Sequence, residues 1–505
     1  MGRRAFLKSL AATSLLPPHG WASGSASDPA GGAAGVRDSH HLLIAHSWGT
    51  GDLGGIGIVP GLLRLVHKAA PGLPVAVLDM HSRRDPSHEF LKGFLPRFLP
   101  GCQVLPNPFA RLVSGAAAGP AWQAFRERWG ETTLREFEEG SLSSRAAERV
   151  ARDVLERLAP DLFRQLEREQ PEAARAFTRA GFLLYAAGTT LNFGRAGQRR
   201  FWTSRMHLPL LVARAIGLPY GIGGQSFDAV EWPVDLVYRR LFRDARFVYC
   251  RDTDSLEYLR QRELLNAHSG FRPDSTFFFD GSDEPWAEAF LRDRGLKAGG
   301  FMAVIGRFAE TGGPIAGVLT PERERQHLEK YRRLMEGWIE KTGMGVVICP
   351  EAKGEVPLLR EKLWASLSGP AQQKCVCFDS FWTPEQACSL YRRARLVAGH
   401  MHTMIFALAV GTPVLHIPYA EAGRKAWMVK DLGLGDWLFD IDDTPAETLL
   451  AAALRIHQDH EAARQRVREA LAMVERLGLE MVAELRLGWR HAANARQPVF
   501  EEQKT

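Results

Sequence analysis

Nowhere in the 505 residues does a block of basic residues interleave with aromatics. A chain without one lacks the electrostatic and stacking footprint of a nucleic-acid binder. The 64 Lys and Arg against 58 Asp and Glu give a net charge of +6, spread along the sequence. That is a solvated surface compatible with small anionic substrates. No apolar run reaches the length that spans a bilayer, so no stable membrane span is expected. Cysteine is sparse, six in all. Cys102, Cys250, Cys349 and Cys388 lie in or near apolar runs and read as small core residues, with a disulfide through Cys388 left open. Cys375 and Cys377 are one residue apart, zinc pairs are usually two to four apart, and there is no second pair, so no metal site is expected. With 45% hydrophobic and 24% charged residues the composition is that of a soluble globular protein. At this length one core does not suffice, and two large domains are expected.

The N-terminus carries a targeting pattern. Arg3-Arg4-Ala5-Phe6-Leu7-Lys8 precedes an apolar segment at 9–16 and small residues at 22–27, the layout of a twin-arginine signal. Residues 1–40 are expected to be signal peptide and linker. The protein would then be periplasmic or extracellular, and cytoplasmic if the signal is unused.

From 41 onward short apolar runs alternate with helical patterns. Strands are predicted at 41–46, 75–79, 103–105, 182–186, a stretch ending at Gly223-Gly224-Gln225, and 247–250. The first run stops at Ser47-Trp48-Gly49-Thr50-Gly51-Asp52-Leu53-Gly54-Gly55. This glycine-rich loop meets neither dinucleotide nor P-loop spacing, and it is either a tight strand-to-helix turn or an anion contact. Residues 121–180 are rich in Arg, Glu, Ala and Leu at helical spacing. They predict a helical insertion serving as a lid, an oligomer face or a cap over the sheet. In the helix after 250, Asp254 or Ser255 is the expected N-cap. Residues 281–300 are polar and contain Gly and Pro, as a hinge would. A second series of strands follows at 302–306, 345–349, 374–378, 396–399, 414–417 and 437–440, with a closing helix at 461–485. The fold predicted is α/β, two Rossmann-like doubly wound parallel-sheet domains at 41–285 and 300–490 facing across a cleft.

The densest chemistry lies at 394–435. His400 and His402 follow one strand. Gly411-Thr412-Pro413 turns into the next, which ends at Pro418-Tyr419, with Arg424 and Lys425 beyond. In open α/β sheets, ligands bind at such carboxyl ends.

Gly51-Asp52, Gly224-Gln225-Ser226, Arg251-Asp252 with Ser255, Asp274, and Ala398-Gly399-His400-Met401-His402 followed by Gly411-Thr412-Pro413, Tyr419 and Lys425 together resemble the polysaccharide pyruvyl transferase family. The resemblance covers roughly 42–434. It implies a two-domain architecture like that of GT-B glycosyltransferases. It also implies transfer of a pyruvyl group from phosphoenolpyruvate to a saccharide hydroxyl, in exopolysaccharide synthesis, with a cell-surface polysaccharide as acceptor and no cofactor beyond that co-substrate. The chain departs from the family pattern in having His400 for an Arg and Ala398 for a Ser. The resemblance makes His402 the general acid/base, a task that imidazole suits near neutral pH; as a structural residue it would cap the next helix. Arg251 is the expected anion contact, or else the partner of Asp252 or Asp254. His400 is an anion contact or a core-edge residue. Lys425 and Tyr419 contact phosphate or hydroxyls, Asp52 binds acceptor hydroxyls or caps a helix, and Gln225 and Ser226 line the cleft. Two alternatives remain at this stage: a GT-B nucleotide-sugar glycosyltransferase and an exported, non-catalytic carbohydrate-binding protein.

Overall fold

The computed structural model describes residues 41–47, 49–109, 119–193, 200–309 and 319–495, with side chains through 483 and at Leu485. The N-terminal leader pattern lies outside them, as does Trp48. Among the described residues no helix is long and apolar enough to cross a membrane.

Seven strands form the first sheet: β1 His41–Ala45, β2 Val75–Leu78, β3 Gln103–Leu105, β4 Ala180–Tyr185, β5 Tyr220–Gln225, β6 Val248–Cys250 and β7 Gly270–Phe271. Their order is β3-β2-β1-β4-β5-β6-β7, all parallel. Ile44 on the central strand lies opposite Val77 on one side and Leu184 on the other. Five more strands form the second sheet: β8 Phe301–Val304, β9 Gly345–Ile348, β10 Cys375–Cys377, β11 Leu396–Gly399 and β12 Val414–His416. Their order is β10-β9-β8-β11-β12, again parallel. Both sheets have Rossmann strand order, in which the winding reverses between the first and fourth strands. Near-continuous apolar strands follow from burial on both faces.

The insertion is a stack of helices: α2 Pro120–Trp129, α3 Glu131–Glu139, α4 Ser144–Asp153, α5 Ala159–Glu169 and α6 Pro171–Thr178. Trp122, Phe137, Val150, Leu162 and Phe177 share one core with Leu43, Leu78, Leu183 and Tyr185 of the sheet. Of the three roles open from sequence, the structure therefore shows the cap over the sheet.

Helix α1 (Leu53–Ala69) begins three residues earlier than a loop running through Gly55 implies. Gly54, Gly57 and Gly61 are helical and share one face. A Cβ on Gly54 would lie 2.1 Å from the His402 ring, on Gly57 2.4 Å from Phe406, and on Gly61 2.0 Å from the carbonyl oxygen of Ser275. The glycines thus let α1 press against helix α7 (His402–Ala409) and the turn Ser275–Phe278. The last helix, α8 (His460–Ala495), follows the second sheet and returns to pack on α1 and β4 of the first half.

Three details differ from the sequence reading. Residues 281–300 contain a helix, Glu284–Asp293, capped by Asp283, whose Ala287 and Leu291 are buried. With so little of it buried, its composition passed for a hinge. The stretch 437–440 is not a strand; Gly435–Trp437 is a 3-10 turn, and Leu438 makes one isolated bridge to His416. Asp252, rather than Asp254 or Ser255, caps the helix Thr253–Gln261.

Gly61→Ala is expected to destabilise the fold by about 1–3 kcal/mol, since its methyl meets backbone that cannot step aside. Gly93→Ala, in a helix with nothing within 4 Å of the new methyl, is expected to be neutral or stabilising by up to about 1 kcal/mol. Thermal melts of the two variants provide the comparison, and equal effects would contradict the packing described.

Candidate active site

The carboxyl ends of both sheets open onto one cavity of about 760 Å³. Its first-half wall is Gly51 and Asp52 after β1, Gly188 and Thr189 after β4, and Arg251 after β6. Its second-half wall is Arg307 after β8, Glu351 after β9, His400 to His402 after β11, and Tyr419 to Lys425 after β12. Each group sits where its strand ends, around the two reversal points of the winding.

Glu351 is the centre of the second wall. It is 5% exposed. Its Oε2 lies 3.6 Å from His400 Nδ1 and its Oε1 3.7 Å from His402 Nδ1; both are longer than a hydrogen bond. Thr403 Oγ1 donates to Oε2 at 3.2 Å. Burial alone would raise this carboxyl, but the two imidazoles and Arg307 hold it well below the ordinary range. The Nε2 atoms of both histidines are buried without a hydrogen-bond partner among the described residues. Met401, between them, has φ of +50°, a left-handed backbone that costs a non-glycine residue free energy. This kink sets both imidazoles on one carboxylate.

The Pro350–Glu355 segment joins the two walls. Leu53 N donates to Glu351 O at 3.0 Å, and Lys353 N to Gly51 O at 2.8 Å. Asp52 and Ala352 form an antiparallel bridge. Asp52 also caps α1, its Oδ1 accepting from Gly55 N at 2.6 Å, so it fills the capping role and lines the cavity at once.

Arg251 is 1% exposed, and its ion-pair partner is Asp274 rather than Asp252 or Asp254. Its Nε donates to Ser226 Oγ at 2.9 Å, and Ser226 Oγ donates to Asp252 at 2.5 Å. Burial works against the Asp274 charge, but Arg251 and His402 keep its pKa low, so residues from both halves act on one carboxylate. Gln225 and Ser226 are fully buried and stand behind the wall. Gln225 accepts from Thr190 N at 3.2 Å, fixing the turn that presents Gly188 and Thr189.

Lys425 faces the cavity and makes no ion pair among the described residues. Burial, then Arg251 and Arg307, push its pKa down to about 8. Its neighbour Arg424 ties this loop to the first half. Arg424 donates to the carbonyls of Phe227 and Asp228 at 2.9 and 3.0 Å and stacks 4.2 Å from the Tyr258 ring centroid. Gly423, at φ +84°, leaves room for Asp228, whose Oδ2 would lie 2.6 Å from a Cβ there. Tyr419 is buried, which pushes its phenol up to about 12, and it lies edge-on to His400. His416 Nε2 reaches Ala426 O at 2.7 Å and steadies the same loop.

Arg307, Glu351 and His416 were not among the residues expected from sequence. Each is one residue in an unremarkable context, but Arg307 and Glu351 follow predicted strands by the same rule that singled out His400 and His402.

Burial lowers the pKa of His400 to about 3 and of His416 to about 4. Unfolded histidine titrates near 6.5, so the unfolded chain takes up these protons first. The stability present above pH 6.5 is then lost as pH falls from there through about 4. Melting temperature is expected to fall over that window. His400→Gln should remove part of the fall, up to about 3 kcal/mol by pH 4. Parallel curves for wild type and variant would count against a neutral, buried His400.

A comparison with curated proteins finds no match. Solved structures similar to the chain include UDP-GlcNAc 2-epimerase from Neisseria meningitidis bound to UDP-GlcNAc, at 10% identity and TM-score 0.49, covering 89% of this chain and 99% of that one. The MnaA–UDP structure from S. aureus has 9% identity and TM-score 0.48, covering 92% and 100%. ADP-heptose LPS heptosyltransferase II from E. coli has 14% identity and TM-score 0.41, covering 84% and 99%. The profile of the polysaccharide pyruvyl transferase family matches residues 121–421, which include every cavity group described except those of the Gly51–Asp52 loop, Gly55, Ile58 and the residues after Glu421. The chain belongs to the polysaccharide pyruvyl transferase family, a family of carbohydrate-modifying transferases.

Proposed function

We propose that the protein transfers the pyruvyl group of phosphoenolpyruvate to a saccharide. The observation that carries this reading is the convergence of Arg251 and Lys425 on the cavity into which His400 and His402 flank Glu351. Phosphoenolpyruvate is a compact polyanion, and fixed cations in a water-poor cleft favour it strongly. The chemistry needs a proton delivered to the methylene carbon of the enol and a proton removed from the attacking hydroxyl. The hydroxyl oxygen bonds to the central carbon as the methylene becomes a methyl. A second hydroxyl of the same sugar then displaces phosphate, giving a cyclic ketal, and its proton leaves with the phosphate. His402 is assigned the proton transfers, because Glu351 occupies the Nδ1 side and leaves Nε2 as the working atom. Asp52 on the first-half wall is the candidate contact for acceptor hydroxyls.

Phosphate release from phosphoenolpyruvate in the presence of an acceptor glycan measures the reaction. His402→Ala is expected to abolish it, by at least about 100-fold given the usual weight of one acid/base group, while the variant still folds, with the far-UV circular dichroism of wild type. A variant with undiminished turnover would remove His402 from the mechanism. A thermal response to UDP-sugars with none to phosphoenolpyruvate would replace the reading by sugar transfer from a nucleotide.

A further inference from the structure

Arg307 is a further cation of the cavity, and one whose charge a buried carboxylate controls. It follows β8, lines the second-half wall, and donates through Nη1 to Glu355 Oε1 at 2.9 Å. Its Nε has no hydrogen-bond partner among the described residues. Glu355 is fully buried. Its Oε2 accepts from the backbone N–H groups of Glu351 and Ala352 at 2.7 and 2.9 Å. One carboxylate therefore clamps the segment that carries Glu351 and also backs the guanidinium that faces the substrate space. We propose that Arg307 is a donor-binding residue of this cleft and that Glu355, behind it, sets how much positive charge Arg307 offers to an anionic donor. The proposal rests on the pyruvyl-transfer reading for the donor's identity.

The physical case is local. An arginine presents a planar fork suited to carboxylate or phosphate, and only part of this fork is spent on Glu355. Among the described residues, the other titratable groups that act with Glu355 are anionic or neutral: Glu351 on its own loop, Tyr331 on Pro321–Thr342 and Tyr391 on Pro384–Arg392. Burial, against the pull of Arg307, raises the Glu355 carboxyl to about 7. Below that pH Glu355 is protonated, and of the two carboxylates that act on Arg307 only Glu351 keeps its charge. Above it the pair is internally neutral. Anion affinity should therefore rise as the pH falls through 7. Lys425 titrates in the same region, and its contribution survives in a Glu355 variant.

Calorimetric titration of the full chain with phosphoenolpyruvate at pH 6 and pH 8 tests this. Wild type should bind more tightly at pH 6. Arg307→Gln should bind at least about tenfold more weakly at pH 6, one lost charged contact being of that order, and Arg307→Lys should fall between the two. Glu355→Gln should bind more tightly than wild type at pH 8 and show a smaller pH ratio. The donor's own titration is common to all variants and cancels in that comparison. Wild-type affinity in folded Arg307→Gln, or an unchanged pH ratio in Glu355→Gln, would overturn the proposal. If Arg307→Gln fails to fold, Arg307→Lys and Glu355→Gln decide. If wild type ignores phosphoenolpyruvate, the donor reading falls and UDP becomes the probe. Equal UDP affinity in wild type and Arg307→Gln, or no UDP binding at all, then overturns the role of Arg307 as well.

Discussion

A carboxylate taken out of water costs several kcal/mol unless cations and donors replace the solvent. Glu351 meets that demand with two imidazoles, a threonine hydroxyl and the field of Arg307. Much of the site follows from satisfying this one charge. It draws His400 and His402 to the same point and tolerates the left-handed backbone at Met401 between them. Its segment needs Glu355 to hold its amides, and Glu355 in turn needs Arg307. Binding groups for a substrate are thereby produced as the remainder of a structural electrostatic problem.

The glycine face of α1 is the steric counterpart. His402 can sit against the first half only because residue 54 has no side chain. Sequence alone offered the loop ending at Gly54 and Gly55 as a tight strand-to-helix turn or an anion contact, and in the structure these two residues open the helix. Gly54 serves the site by admitting an imidazole, while Gly51 and Gly55 line the cavity.

Alternating apolar runs and helical periods made the two parallel sheets legible, because strands buried on both faces leave unbroken apolar segments. The rule that ligands gather at carboxyl ends found His400, His402, Tyr419 and Arg251. It did not rank Glu351 or Arg307, since which strand ends become neighbours depends on strand order, and strand order is not written in any local pattern. Gln225 and Ser226 show the converse. They look like cleft lining because they end a strand, yet their side chains are taken up in hydrogen bonds to Thr190 and Asp252 behind the wall. A helix showing little apolar surface was mistaken for a hinge at 281–300 because composition reports exposure before it reports structure.

The backbone bonds between 51–53 and 351–353 carry a mechanical consequence. They place the axis of any rigid opening that preserves them at the floor of the cavity. Groups on that axis barely move, whereas groups far from it sweep the largest arc. His402 and Glu351 lie beside the axis; Arg424, with its hold on Phe227, Asp228 and Tyr258, lies toward the rim. An opening about those bonds would act as a lever, moving Arg424 and its partners most while leaving His402 and Glu351 together.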